Sequence, residues 1–211
     1  MNQLMNTLNA KETPEVNWSS FKSSLLIEVF RGSDIFTSSS VLITRNVILT
    51  AAHSVFGIDK GYVHLGGEYS QSNIRIGFKK VVIHSDYNKK NSNFKNDIAL
   101  IVLDRNLPLS IKPATIAPLA KQSTLNVERV GFGLRLGMNK RTWTNPQVLA
   151  HNESYFELSD SKSVMGDSGG PLYFNNNLIG LHSTIEGNKA FAVNVHHYKE
   201  WINENLPLKS L

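Results

Sequence analysis

The chain has 211 residues, 41% of them hydrophobic and 18% charged, a balance that suits a folded domain with a sizeable core and excludes a disordered polymer. It contains no cysteine, so disulfides and thiolate metal sites are excluded. Its 22 Lys and Arg against 17 Asp and Glu leave a net charge of +5, but the basic residues fall in separated pairs with no aromatic stripe between them, which argues against a nucleic-acid partner.

Residues 1–19 are polar, contain Pro14 and read as an N-terminal extension or propeptide. They lack the basic and apolar regions of a signal peptide. No apolar run in the chain approaches membrane-spanning length, so no membrane partner is expected. A secreted or periplasmic location is the expectation, although the sequence itself leaves the compartment open.

From Leu25 the chain becomes a series of short apolar stretches broken by turn residues. Leu25–Phe30 precedes a turn at Gly32–Asp34, and Val41–Ile43, Val47–Thr50, Tyr62–Leu65, Ile74–Phe78, Val81–Ile83 and Ile98–Leu103 follow. This spacing predicts an all-β barrel or sandwich. Ile98–Leu103 is apolar on both faces, which predicts a central strand with no solvent side. After Pro108 and Pro113 a second series begins: Glu128–Val130, Phe156–Leu158, Pro171–Phe174, Leu178–Leu181 and Phe191–Val195. Tyr198, Trp201 and Ile202 share one face of a short closing helix, which Pro207 ends.

The string Gly166-Asp-Ser-Gly-Gly-Pro171 is the most specific signal. A nucleophilic hydroxyl needs a tight turn with backbone amides aimed at a developing oxyanion. Gly166 allows the amides of Gly166 and Ser168 to converge. Ser168 also needs a base, and His53 follows the apolar strand Val47–Leu49 in Thr50-Ala-Ala-His-Ser54. Asp97 heads the apolar strand, where a desolvated carboxylate requires a partner; the ring N–H of His53 supplies one. The chain order His53, Asp97, Ser168 separates this arrangement from the other hydrolase triads.

With these residues the chain resembles the chymotrypsin/trypsin-like serine peptidase family, from about Leu25 to Trp201. Gly131-Phe-Gly133, His84-Ser-Asp-Tyr87 and the closing Tyr198–Ile202 helix add to the likeness. The resemblance implies two six-stranded antiparallel β-barrels with a short C-terminal helix and a site in the cleft between the barrels. The first barrel, residues 20–118, would carry His53 and Asp97. The second, residues 119–195, would carry Ser168, and residues 196–211 would form the helix and tail. It further implies a monomeric serine endopeptidase that acts on polypeptides through an acyl-enzyme, with no metal or organic cofactor. The alternative is a catalytically silent binding protein on the same scaffold.

Three departures from the family pattern stand out. Positions where the family often bridges cysteines are Ser38, Ser54 and Val164 here. The segment between Gly133 and Gly166 is short, as in compact bacterial members. The activation sequence is absent, which leaves open what cation pairs with Asp167; Val16, after Glu15, is the candidate new N-terminus if residues 1–15 are removed. The resemblance also places Lys162, Ser163, His182 and Ser183 around the substrate pocket. Lys162 argues against cleavage after Arg or Lys. His182, in a motif similar to that of glutamyl endopeptidases, implies a preference for Glu or Asp on the acyl side, bound by charge-assisted hydrogen bonds with help from Ser163 and Lys162. Ser183 resembles the serine that supports the buried Asp.

Overall fold

A computed structural model describes residues 21–69, 74–88, 94–119, 125–135 and 137–207. The extension before residue 20, including Val16, lies outside the described residues. The first six strands are β1 (Ser24–Arg31), β2 (Asp34–Leu42), β3 (Val47–Thr50), β4 (Lys60–Leu65), β5 (Ile74–Ile83) and β6 (Ala99–Leu103). They close into a barrel in the order β1-β2-β3-β6-β5-β4. The two stretches expected at Ile74–Phe78 and Val81–Ile83 form one strand, β5, whose register slips between Phe78 and Lys80. A bulge there shifts the inward face by one residue, which is why the apolar pattern looked broken.

Strand β6 is buried along its whole length, and its two faces serve different interiors. Ala99, Ile101 and Leu103 pack inside the barrel with Leu25, Ile27 and Ile48. Leu100 and Val102 point the other way, into a cluster with Val130, Leu181, Val193 and Tyr198. The period-two alternation of a strand turns one apolar run into a wall between two cores. Glu28 is a buried charge in β1; its Oε2 lies 2.6 Å from Nε2 of the equally buried His64.

The second half contains β7 (Glu128–Gly131), β8 (Leu134–Arg135), β9 (Met138–Asn139), β10 (Thr142–Thr144), β11 (Gln147–His151), β12 (Tyr155–Ser159), β13 (Pro171–Phe174), β14 (Asn177–Glu186) and β15 (Lys189–Asn194). Seven of them form one sheet in the order β10-β7-β13-β14-β15-β12-β11, with β8 and β9 as a separate hairpin. The expected six-stranded closed barrel is therefore a curled seven-stranded sheet. The segment leading into β7 meets the edge strand β11 through the bridge Asn126 to Gln147 and the flanking Val127 N to Pro146 O and Val148 N to Leu125 O hydrogen bonds, which curl the sheet toward closure. Pro146 separates β10 from β11 and lacks the amide a continuous ladder needs.

A 3-10 turn, Val195–Tyr198, leads into the closing helix Lys199–Asn205, called α2 here. Tyr198 and Ile202 are buried against the cluster between the two halves. The crossing segment is laced to both sides: Ala114 N donates to Leu42 O in the barrel, and Ala117 N to Leu178 O in the second sheet.

Candidate active site

His53 lies on a single helical turn, α1 (Ala52–Val55), directly after β3. Asp97 lies just before β6. The two come together because β3 and β6 pair antiparallel, with Thr50 opposite Ala99, so that the end of one strand meets the start of the other. His53 Nδ1 is 2.7 Å from Asp97 Oδ2, and the His53 amide donates to Asp97 Oδ1 at 2.9 Å. The His53 side chain is 40% exposed while that of Asp97 is 4% exposed, so the ring reaches solvent and its partner is sunk. Asn96 adopts φ +59; its amide donates to the Tyr198 hydroxyl at 3.1 Å, which fixes the turn that presents Asp97.

Burial alone would push the Asp97 pKa up. The hydrogen bonds and charge of His53, together with the Ser183 hydroxyl, outweigh that cost and hold the carboxyl below its usual value. Ser183 Oγ donates to Asp97 Oδ2, and Ser183 O accepts from Ser168 Oγ at 3.2 Å. One residue of β14 thus touches both the sunken carboxylate and the Ser168 hydroxyl.

The turn carrying Ser168 is pinned by β2. Ser39 N donates to Ser168 O at 2.9 Å, Ser38 Oγ to the same oxygen at 2.7 Å, and Ser39 Oγ to Gly166 O at 2.8 Å. Gly166 sits at φ +96 and Gly169 at φ +78, conformations that disfavour any side chain. A Cβ on Gly169 would also stand 2.8 Å from the Ala51 amide. The missing side chain therefore lets the Ser168 turn close onto the strand end that carries His53. Among the described residues, no hydrogen bond engages the amides of Gly166 and Ser168.

Asp167 is fully buried. Its carboxylate meets Arg135 Nη2 at 2.6 Å and Arg129 Nη1 at 3.1 Å. Burial would raise its pKa, but the charge of Arg129 and the hydrogen bonds and charge of Arg135 hold it far below the usual carboxylate range. Arg129 is itself fully buried and pairs through Nε with Asp160 Oδ2. Sequence reasoning missed Arg129, Arg135 and Asp160 in this role. The available signal was the pair of arginines flanking Gly131-Phe-Gly133.

The pocket residues separate. His182 and Ser163 are buried side by side, with Ser163 Oγ 2.8 Å from His182 Nε2. His182 Nδ1 is buried without a hydrogen-bond partner among the described residues. Burial and then the charge of Arg129 push the His182 pKa down to about 4, so the ring is neutral near pH 7. Lys162 does not join them. It is exposed, its amide donates to Asp160 Oδ1 at 3.0 Å and its carbonyl accepts from Arg135 Nη2 at 2.9 Å. It borders a separate cavity of about 360 Å³ with Trp143, Thr144, Pro146 and Asp160. Among the described residues, no cluster of three or more His, Cys, Asp or Glu could hold a metal ion.

The Trypsin family model matches residues 20–202. The chain is 28% identical over 203 aligned residues to a protein named Chymotrypsin from Phaedon cochleariae, covering 81% of this chain and 72% of the relative. Among solved structures, HL collagenase is similar with a TM-score of 0.83 at 22% identity, covering 94% of this chain and 99% of that one. A scabies mite inactivated protease paralogue, S-I1, is similar with a TM-score of 0.79 at 18% identity, covering 92% and 98%. At these identities the structural likeness carries the fold alone.

Proposed function

The chain belongs to the Trypsin family of serine-type endopeptidases, and from that premise we propose that Ser168, His53 and Asp97 are its catalytic triad. The observation that carries this reading is the run of contacts from His53 through Asp97 and Ser183 to Ser168. Rotation of the Ser168 hydroxyl away from the Ser183 carbonyl frees its proton for His53. Ser168 Oγ then attacks the scissile carbonyl of a polypeptide as His53 Nε2 takes the proton. The carbonyl oxygen becomes an oxyanion between the two unengaged amides, Gly166 N and Ser168 N. Collapse expels the leaving amine, which receives the proton from His53. Water repeats the sequence on the acyl-enzyme and releases the acid. Asp97 stays ionised and holds the imidazole with its Nε2 toward the substrate.

The experiment is labelling with a fluorophosphonate, with Ser168→Ala as control. Labelling that disappears in the variant supports the triad. A folded chain that takes no label overturns it and favours the catalytically silent binding protein.

For the acyl-side residue, the reading is Glu or Asp. His182 is neutral, buried and short of one partner, and Ser163 offers a second polar contact beside it. A substrate carboxylate arriving there favours protonation of His182 and converts a neutral contact into a charge-assisted one. The charges behind the pocket balance: Arg129 and Arg135 face Asp160 and Asp167. The exposed Lys162 adds no buried charge. A cleavage profile on a peptide mixture tests this, and products ending in Phe or Leu but never in Glu or Asp overturn it.

A further inference from the structure

The residue before the nucleophile carries a charge that the catalytic sequence above does not use. Asp167 Oδ1 accepts from Gly133 N at 2.8 Å and Arg135 Nη1 at 3.1 Å. Its Oδ2 accepts from Val164 N at 3.0 Å and Arg135 Nη2 at 2.6 Å. A carboxylate has about four acceptor positions, and these four donors fill them, with Arg129 Nη1 as a further cation at 3.1 Å. Arg135 also donates to Lys162 O at 2.9 Å. A single guanidinium thus spans both ends of the loop 162–168 that carries the two candidate oxyanion amides.

The surrounding sequence is shaped to this pair. A Cβ on Gly131 would overlap Asp167 Oδ1, and one on Gly133 would stand 2.6 Å from Arg135 Nη1 and 2.7 Å from Asp167 Oδ1. The two glycines of Gly131-Phe-Gly133 leave the space that the fork and the carboxylate occupy. A bidentate guanidinium–carboxylate pair removed from water is rigid and directional. Removing one partner would leave a charge buried without compensation.

We propose that Arg135, backed by Arg129, is the built-in counter-ion that sets the nucleophile turn, so that the chain is competent without a cut that frees a new N-terminal amine at Val16. The proposal rests on the reading of Ser168 as nucleophile. Arg135 is a positioning residue: it touches no reacting atom and acts through Asp167 on the amides of Gly166 and Ser168. An ammonium arriving at Asp167 would have to displace a donor already in place.

The test uses the full chain with an N-terminal affinity tag, which presents no free amine at residue 16. Fluorophosphonate labelling and peptide turnover are measured before and after cleavage following Glu15. The expected result is the same rate in both states. Labelling of the cut chain alone overturns this inference and leaves the triad standing. No labelling of either form overturns the triad and the inference together. In the same assay, Arg135→Ala should lower kcat by about 10²–10³ with little change in KM, as for loss of an oxyanion donor. Arg135→Lys should restore part of it. A folded Arg135→Ala protein with unchanged kcat overturns the assignment. If that variant fails to fold, the tagged full chain still decides.

Discussion

Ser38 Oγ and Ser54 Oγ lie 2.8 Å apart, in a hydrogen bond that joins β2 to the helical turn of His53. Ser38 Oγ also donates to the Ser168 carbonyl at 2.7 Å. A polar contact thus stands where the resemblance places a disulfide, and it reaches both candidate reacting residues. The two Oγ atoms are close enough for sulfur atoms to bond with modest adjustment.

Replacing both, Ser38→Cys with Ser54→Cys, should therefore give a disulfide in oxidising buffer. The bridged residues are 16 apart, and closing such a loop stabilises by about 3 kcal/mol in the chain-entropy account. Thermal melting of the oxidised and reduced forms reads the difference. An oxidised form that melts no higher than the reduced one would show that the serine geometry does not accommodate the bond.

Ser183→Ala removes the hydroxyl that donates to Asp97. A hydrogen bond to a buried charge contributes about 1.5–3 kcal/mol, so kcat should fall about tenfold to a hundredfold. The Asp97 pKa is held down in the folded protein, so Asp97 contributes stability above the ordinary carboxylate range that is lost as pH falls through the folded value. Without Ser183 the folded value rises and acid unfolding should begin at higher pH. An unmoved acid-unfolding midpoint would assign the hydroxyl no part in holding the charge.

Arg129→Met tests the buried network. Loss of one partner from a buried pair costs about 3–5 kcal/mol. The charge of Arg129 is the largest influence lowering the Asp167 pKa, so its removal raises that pKa and makes protonation of Asp167 easier. The stability gap between wild type and variant should narrow as pH falls through the carboxylate range, in urea melts at several pH values. A gap that widens toward low pH contradicts the pairing.

His182 supplies a pH signature. Its folded pKa of about 4 lies below the usual value for an imidazole, so between the two values the unfolded chain binds a proton that the folded chain does not. Its contribution to stability therefore falls as pH drops from the ordinary His value to about 4. A bound substrate carboxylate reverses this preference. Cleavage after Glu relative to Gln should improve as pH is lowered toward 5, and His182→Leu should abolish that trend while fluorophosphonate labelling persists. A Glu-to-Gln ratio independent of pH in the wild type would remove His182 from substrate recognition.

Much of the strand framework was legible because its strands read as short apolar runs bounded by turn residues. Val47–Thr50 and Pro171–Phe174 stand where their apolar runs placed them, and the doubly apolar run at Ile98–Leu103 gave a strand buried on both faces. The strands between Gly133 and Gly166 were less legible. Strands β8 and β9 have two residues each and β10 has three, too few for a period to register. The turn strings around His53 and Ser168 were visible because Gly, Ala and Ser at those positions answer local backbone demands, as Gly169 does against Ala51. The partners of Asp167 were hidden. Arg129 comes from β7 and Arg135 from the β8–β9 hairpin, and nothing local in an arginine announces that a chain fold will bury it beside a carboxylate some thirty residues onward. Only the resemblance places Lys162 at the pocket; its side chain is exposed, and the buried Asp160 and Asp167 nearby are already paired with Arg129 and Arg135, so a strongly hydrated ammonium has no reason to leave solvent for them.

The sharing of Ala99–Leu103 between two interiors bears on how the molecule comes apart. With one face of the ribbon in each half, fraying of either half strips apolar cover from the other. Amide protons of β3, β6, β14 and β15 should then exchange with deuterium in a single opening event rather than in two. The crevice between the halves gains a stiff floor from that arrangement, because the backbone that leads out of Asp97 cannot shift without disturbing both cores.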